Sequence, residues 1–373
     1  MNFTLLKTDA RSKARRGVLE TPHGTVQTPV FMPVGTQGTV KGLTPAVIHE
    51  LNAEIILGNT YHLYLRPGMD IMEQAGGLHS FMGWNKPILT DSGGFQVYSL
   101  AQLRKITPEG VRFQSHIDGS QHFFTPEKTY EIQNTLGSDI IMVFDECVPY
   151  PSEHTYACNS LKITVEWAKK CKIAHKKNNT DKGLFGIVQG STFKDLRSEC
   201  AYALQEIGFD GYAIGGLAVG EPQMLLYEFA GYTADILPCE KPRYVMGCGF
   251  PEDLLVMVEN GIDMFDCVIP TRYARNGTAF TSRGKLPVKN GAYKNDFAPL
   301  DPDCSCYVCT HFSRAYLRHL FNTGEMLGPV LLTQHNIHFF LELMRKIRTA
   351  IDNDRYVEYK NETMNKLLEG ETP

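Results

Sequence analysis

Short apolar runs alternate along the chain with longer stretches in which apolar residues recur at helical spacing. The runs include EIILGN (54–59), PILTDSGG (87–94), DIIMVFDE (139–146), LFGIVQG (184–190), DGYAIGG (210–216), RYVMGCG (243–249) and GIDMFDCV (261–268). Between them lie helical segments with recognisable ends. TPEKTYEIQNTLG offers Thr125 as N-cap, Pro126 at the first helical position and Gly137 as a stop. The segment 155–177 ends in basic residues, which suits the negative end of a helix dipole. The segment 192–211 closes on glycine, and PEDLLVMVENG opens on proline and acids and ends at Gly261. Strands alternating with helices predict parallel strands joined by crossover helices. An open doubly wound sheet of the dinucleotide-binding kind requires an early G-x-G-x-x-G turn. The nearest candidate, DSGGFQ, lacks that spacing, so the pattern favours an α/β fold of the closed (β/α)8 TIM-barrel type.

Polar residues then fall at one place in each unit. Asp91 and Ser92 follow PILT, Asp145 and Glu146 follow IIMVF, and Gln189 and Gly190 follow FGIV. Gly215 and Gly216 follow YAI, Met246 and Gly247 follow RYV, and Asp266 comes late in GIDMFDCV. The bland alternative is that each merely begins a loop. In a barrel, however, all these strand ends open onto one face, where barrel enzymes keep their active sites. Three converging carboxylates suit attack at a sugar carbon, with one as nucleophile and another moving protons. A carboxylate-bound metal is less favoured, because no histidine sits among these positions.

Composition changes this picture little. The chain has 373 residues, 43% hydrophobic and 21% charged, with a formal net charge of -4, an ordinary globular balance. The start has no signal-peptide pattern, no apolar run is long enough to span a bilayer, and the scattered cysteines suit a reducing compartment. These features predict a cytoplasmic protein without a membrane partner. Local clustering matters more. From Arg272 to Lys294 six cations occur with no acid, directly after Asp266. A solvated loop surface accounts for most such runs, but at a pocket mouth the run suits a phosphate-bearing substrate such as RNA with an extruded base. In DPDCSCYVCTHF, Cys304, Cys306 and Cys309 suit tetrahedral zinc. Spacing leaves the fourth ligand open among His311, His319, His335 and His338.

With these motifs in view, the chain closely resembles the queuine tRNA-ribosyltransferase (tRNA-guanine transglycosylase) family, in its bacterial form. The motifs run in order from FMPVGTQGTVKGLTP and GNTYHLYLRPG through LTDSGGFQV, MVFDEC, GIVQG, IGGLAVGE, MGCG and DCVIPTRYARNG to CSCYVCTHFSRAYLRHL and TQHN. The resemblance implies one catalytic barrel over 1–373 with a zinc-binding subdomain, 295–345, packed on it. It implies exchange of guanine at the wobble position of tRNAs with GUN anticodons for preQ1, through a covalent aspartyl-ribosyl intermediate. Asp266 matches the nucleophile and Asp91 the general acid/base. Asp91, Ser92, Asp145, Gln189, Gly215 and Gly216 match base-binding positions, with Phe95 and Met246 stacking on the base. Phe95 departs from members that carry tyrosine there, keeping a stacking face without the hydroxyl. Leu217 and Ala218 match a peptide that reads the substituent of the incoming base, with Glu221 behind it. Cys147 and Val219 match the pattern of members that use the small base preQ1. Gly247, Arg272 and Arg275 match RNA-binding positions beside the target guanine. Cys304, Cys306, Cys309 and His335 match the ligands of one structural Zn2+ per subunit. A homodimer on the tRNA anticodon loop is implied as well. Two other classes compete with this reading. A glycoside hydrolase leaves the cysteine cluster and basic run unexplained, and a noncatalytic tRNA-binding subunit has no need of both Asp91 and Asp266.

Overall fold

The computed structural model describes residues 1–100, 104–178 and 180–370. Eight parallel strands close into a barrel: β1 (Val30–Gly35), β2 (Ile56–Gly58), β3 (Ile88–Thr90), β4 (Ile140–Met142), β5 (Gly183–Val188), β6 (Gly211–Ile214), β7 (Arg243–Val245) and β8 (Met264–Cys267). The circle is completed by β8 on β1, with Asp266 opposite Met32 and Cys267 opposite Pro33. These strands are buried on both faces, so they read as continuous apolar runs and not as alternating ones. Seven of them coincide with the runs named above. The eighth, β1, is VFMPVG; its internal proline hides it from a strand pattern.

The helices between strands follow their sequence signals. Helix α1 (Pro126–Leu136) starts at Thr125, whose Oγ1 accepts a hydrogen bond from Lys128 N at 3.2 Å, and ends at left-handed Gly137. Helix α2 spans His154–Asn178, α3 Lys194–Ile207, α4 Gln223–Ile236 and α5 Pro251–Glu259. Pro270 follows β8 closely and begins the next helix. It lies in the first turn of helix α6 (Ile269–Asn276), where its missing N–H costs nothing.

Among the described residues, two three-stranded antiparallel sheets fall outside the repeating units, besides a two-stranded one after the last barrel strand. Strands Asn2–Thr8, Arg15–Thr21 and Gly24–Thr28 form one, at the N-terminal end of the barrel. It is fastened there by buried Arg15, whose Nε donates to Asp263 Oδ1 at 2.9 Å and whose Nη2 donates to Oδ2 at 2.5 Å. A second fastening joins its hairpin tip to the start of β4. His23 Nδ1 lies 2.8 Å from Asp139 Oδ1, and His79 Nε2 lies 3.2 Å from Oδ2. The two imidazoles stack at 3.7 Å with planes 17° apart. Each lone pair lies in its own ring plane, and two stacked, nearly parallel planes do not meet near the rings where one ion could lie in both, which makes the trio a latch and not a metal cage. The other sheet, Arg104–Thr107, Gly110–Gln114 and Gln121–Phe124, is inserted between β3 and α1.

Beyond α6 the chain builds a second, smaller core from residues such as Leu286, Val288, Leu300, Val308, Leu317 and Leu332. Helix α7 (Leu327–Asp352) starts in that core and runs into the main one, where Phe340 packs on Phe31 of β1. Among the described residues no helix is long and apolar enough to cross a membrane.

Candidate active site

Each of the strand-end residues singled out above leaves the barrel at its C-terminal face. Asp91, one residue past β3, is buried. Its Oδ2 accepts from Asn59 Nδ2 at 2.5 Å and its Oδ1 from Thr60 N at 2.8 Å. Burial nevertheless wins over these bonds, and with the neighbouring charge of Asp266 it lifts the carboxyl from 3.8 to about 6. Asp266, within β8, is held by one oxygen: Oδ1 accepts from Tyr244 Oη at 2.5 Å and from Gly247 N at 2.9 Å. Oδ2 takes no hydrogen bond from the described residues. Burial raises this carboxyl too, opposed by the two bonds to Oδ1.

Between these acids runs a polar chain. Ser92 Oγ donates to Asp145 Oδ1 at 2.8 Å, and Gln189 Nε2 donates to Asp145 Oδ2 at 2.7 Å. Asp145 is raised by burial, and Gln189 Oε1 is buried without a partner, an acceptor left for something else to fill. Gly216 lies against it at φ +63°, where any side chain would collide with Gln189 Oε1. Beyond it Leu217 is buried, and Ala218 stands at φ 57°, a strained setting for a non-glycine residue. Glu221 compensates by accepting from Ala218 N at 2.5 Å and Val219 N at 2.9 Å. Cys147 is buried beside this loop, and burial raises its thiol so that it stays neutral. Gly215 N donates to Val188 O at 3.0 Å, and Met246 N to Ile214 O at 3.3 Å, both continuing the barrel ladder to the rim.

The remaining candidates lie around this rim. Phe95 is 46% exposed. Arg272 and Arg275 are exposed on α6, directly after β8, and Arg275 Nη1 donates to Thr271 O at 3.0 Å. The basic segment continues as a hairpin, with Lys285 Nζ 4.3 Å above the Phe250 ring.

Away from the pocket, Cys304, Cys306, Cys309 and His335 come together with all ligand atoms within 4.8 Å of one another. His335 Nδ1 lies 3.9, 3.4 and 3.4 Å from the three sulfurs. Its Nε2 is 2.8 Å from Phe280 O, so Nε2 carries the proton and Nδ1 is free to face a metal ion. Three thiolates and an imidazole in this arrangement can hold a tetrahedral cation with no position left over.

Two partners, Asn59 and Tyr244, stand outside the residues singled out above. Asn59 follows the run EIILG and obeys the same strand-end rule as the acids, so that rule was the available clue. Tyr244 sits inside the apolar run RYV, and nothing in its neighbours marks it as the donor to Asp266.

A closed (β/α)8 barrel with carboxylates at its strand ends and an appended Cys3His group defines a barrel enzyme carrying a metal-type side module. Comparison with known proteins narrows the class. The family model described as queuine tRNA-ribosyltransferase matches residues 9–369. Similar proteins include queuine tRNA-ribosyltransferases from Caldanaerobacter subterraneus subsp. tengcongensis, 62% identical over 98% of this chain and 97% of the relative. Others come from Thermoanaerobacter sp. (strain X514), at 59% over the same shares, and from Halothermothrix orenii, at 56% over 99% of this chain and 98% of the relative. The chain belongs to the queuine tRNA-ribosyltransferase family and is, with it, a pentosyltransferase.

Proposed function

We propose that this protein exchanges guanine at the wobble position of tRNAs with GUN anticodons for preQ1, a 7-aminomethyl-7-deazaguanine, in queuosine synthesis. The observation that carries the reading is the asymmetry of Asp266. Tyr244 and Gly247 anchor Oδ1 and leave Oδ2 without a hydrogen bond among the described residues, as an attacking oxygen requires.

In this reading Asp266 Oδ2 attacks the ribose anomeric carbon, and the bond from that carbon to the purine nitrogen breaks. The electron pair leaves with guanine, which takes a proton from Asp91. The RNA is then held as an aspartyl ester. The incoming base gives its ring N–H proton to Asp91, its nitrogen attacks the same carbon, and the ester bond breaks to free the Asp266 carboxylate. Two inversions give net retention. A group titrating near 6 suits both proton transfers, since it gives and takes a proton at similar cost.

Recognition follows from the donors and acceptors. Asp145 accepts from the N–H edge of the base, in place of its present bonds to Ser92 and Gln189. The Gln189 amide and Gly216 N–H serve the exocyclic oxygen, and Phe95 and Met246 flank the ring. Because Ala218 N–H turns to Glu221, the Leu217 carbonyl of the same trans peptide points the opposite way, as an acceptor for an aminomethyl ammonium. Neutral Cys147 and Val219 keep the wall small. Gly247, Arg272 and Arg275 meet the RNA beside the target nucleotide. Cys304, Cys306, Cys309 and His335 hold one structural Zn2+ per subunit, which organises a subdomain over 295–345 on the single barrel and supplies no reaction chemistry. The working unit is a cytoplasmic homodimer on the anticodon loop.

The test is incorporation of labelled guanine, preQ1 and queuine into an anticodon stem-loop, with the wild type and Asp266→Asn. Guanine and preQ1 enter and queuine does not. The wild type forms an RNA–protein adduct that survives denaturation, whereas Asp266→Asn binds the stem-loop without forming it. Queuine entry sinks the preQ1 assignment, and adduct formation by Asp266→Asn sinks the nucleophile.

A further inference from the structure

Behind the base-recognition loop lies a charge that the scheme above does not use. Arg197, on the first turn of α3, is 0% exposed. No carboxylate pairs with it among the described residues, and its Nη1 is buried without a partner. Its other donors all go to backbone carbonyls. Nε donates to Ser191 O at 2.7 Å, and Nη2 to Gly215 O at 3.1 Å with Gly216 O at 3.5 Å. The approach is tight: a side chain at Gly190 would meet Arg197 N at 2.8 Å and Cγ at 3.1 Å.

Burying a guanidinium without a counter-charge costs several kcal/mol, and an apolar side chain would fill the same space at less cost. The cation is what the rigid fork needs in order to reach two chain segments at once. Those segments are the exits of β5 and β6. The first carries Gln189, two residues before Ser191; the second carries Gly215 and Gly216. In a trans peptide the C=O and the following N–H point opposite ways. With Gly215 O drawn to Arg197, Gly216 N–H is turned away from Arg197, and Gln189 Oε1 lies beside the same glycine, where a side chain at Gly216 would meet it.

We propose that Arg197 is a positioning residue for base recognition: its buried fork orients the Gly215–Gly216 peptide and ties it to the Gln189 strand exit, so that the amide and the glutamine face one base together. This rests on the reading that the pocket takes a purine-type base. The guanidinium touches neither base nor ribose. It therefore governs affinity for the free base and leaves the RNA contacts of Arg272 and Arg275 unaffected. Lysine, with donors radiating from one nitrogen, reaches one carbonyl and restores part of the effect.

The experiment compares wild type, Arg197→Lys and Arg197→Met by exchange kinetics, by calorimetric binding of free guanine, and by circular dichroism. In Arg197→Met the KM and Kd for guanine rise roughly tenfold or more, the loss of one or two charge-assisted bonds, while the stem-loop KM stays within about twofold. Arg197→Lys falls between. A folded Arg197→Met with guanine affinity within about twofold of wild type overturns the proposal, as does a parallel rise in both KM values. If the methionine variant does not fold, the lysine variant decides by the same criterion. Wild type that binds and exchanges guanine beside unaffected variants sinks the positioning role alone. Wild type that does neither sinks the pocket assignment and the role with it.

Discussion

At the scale of single residues, the pocket is a set of carboxyls in which burial, which disfavours the charge, opposes the hydrogen bonds they accept, which favour it. Asp91 shows the balance most clearly. Asn59 and Thr60 favour its charged form, yet burial and the nearby Asp266 leave it at about 6 in place of 3.8. The native state thus holds a proton that the unfolded chain has already released. This contribution to stability is fully present below 3.8 and is lost as pH rises through about 6. Asp91→Asn, which cannot ionise, is expected to melt higher than wild type at pH near 8, by on the order of 3 kcal/mol at most, while losing base exchange. Relative to Asp91→Asn, wild type gains stability as pH falls through about 6 toward 3.8. A difference in melting temperature that does not change with pH removes Asp91 as the buried acid. The strand-end rule made both acids of the pair legible in the sequence. Asn59 obeys the same rule, but which donor meets which acid was not legible, because Tyr244 and Asn59 reach them across gaps of 22 and 32 residues.

At the scale of elements, the signals that held were those with a local physical cause. Thr125, Pro126 and Gly137 each act on backbone groups within one turn, and α1 begins and ends where they set it. Thr125→Ala is accordingly expected to lower the denaturant midpoint by the equivalent of about 1 kcal/mol, with base exchange unchanged in the folded protein. An unchanged midpoint would show that tertiary contacts, and not the cap, hold that end of the helix. Local signals are ambiguous where a residue has two uses. Proline usually marks a strand end, yet Pro33 lies inside β1 and Pro270 opens a helix. The inserted sheet of Arg104–Thr107, Gly110–Gln114 and Gln121–Phe124 left no mark in the alternation, since its strands are short, partly exposed and outside the repeating unit.

At the scale of the whole molecule, a barrel and a smaller core share one long helix. Helix α7 starts among the residues around Cys306 and Cys309, packs on β1 at Phe340, and carries His335. A metal on that histidine ties the cysteine loop to the barrel through a single rigid element. Cys306→Ala, or wild type treated with a strong chelator, is expected to lose bound zinc by elemental analysis and to melt at lower temperature. Full zinc content in Cys306→Ala would remove that residue from the ligand set.

What the sequence determined by itself is the order and kind of the main elements and the face on which chemistry collects. Both follow from rules that act within one strand–helix unit: apolar runs for buried parallel strands, caps and stops for helices, polar residues at strand exits. Only the tertiary structure decided between equivalent-looking residues. GIDMFDCV holds two aspartates; the end of β8 at which each falls makes Asp263 an anchor for Arg15 and Asp266 an open carboxylate. Four histidines were open by spacing, and the fold brings His335 to the three sulfurs. An aspartate or histidine takes its character from burial and from its partners' charges and hydrogen bonds, and those partners come from segments brought together only when the barrel closes.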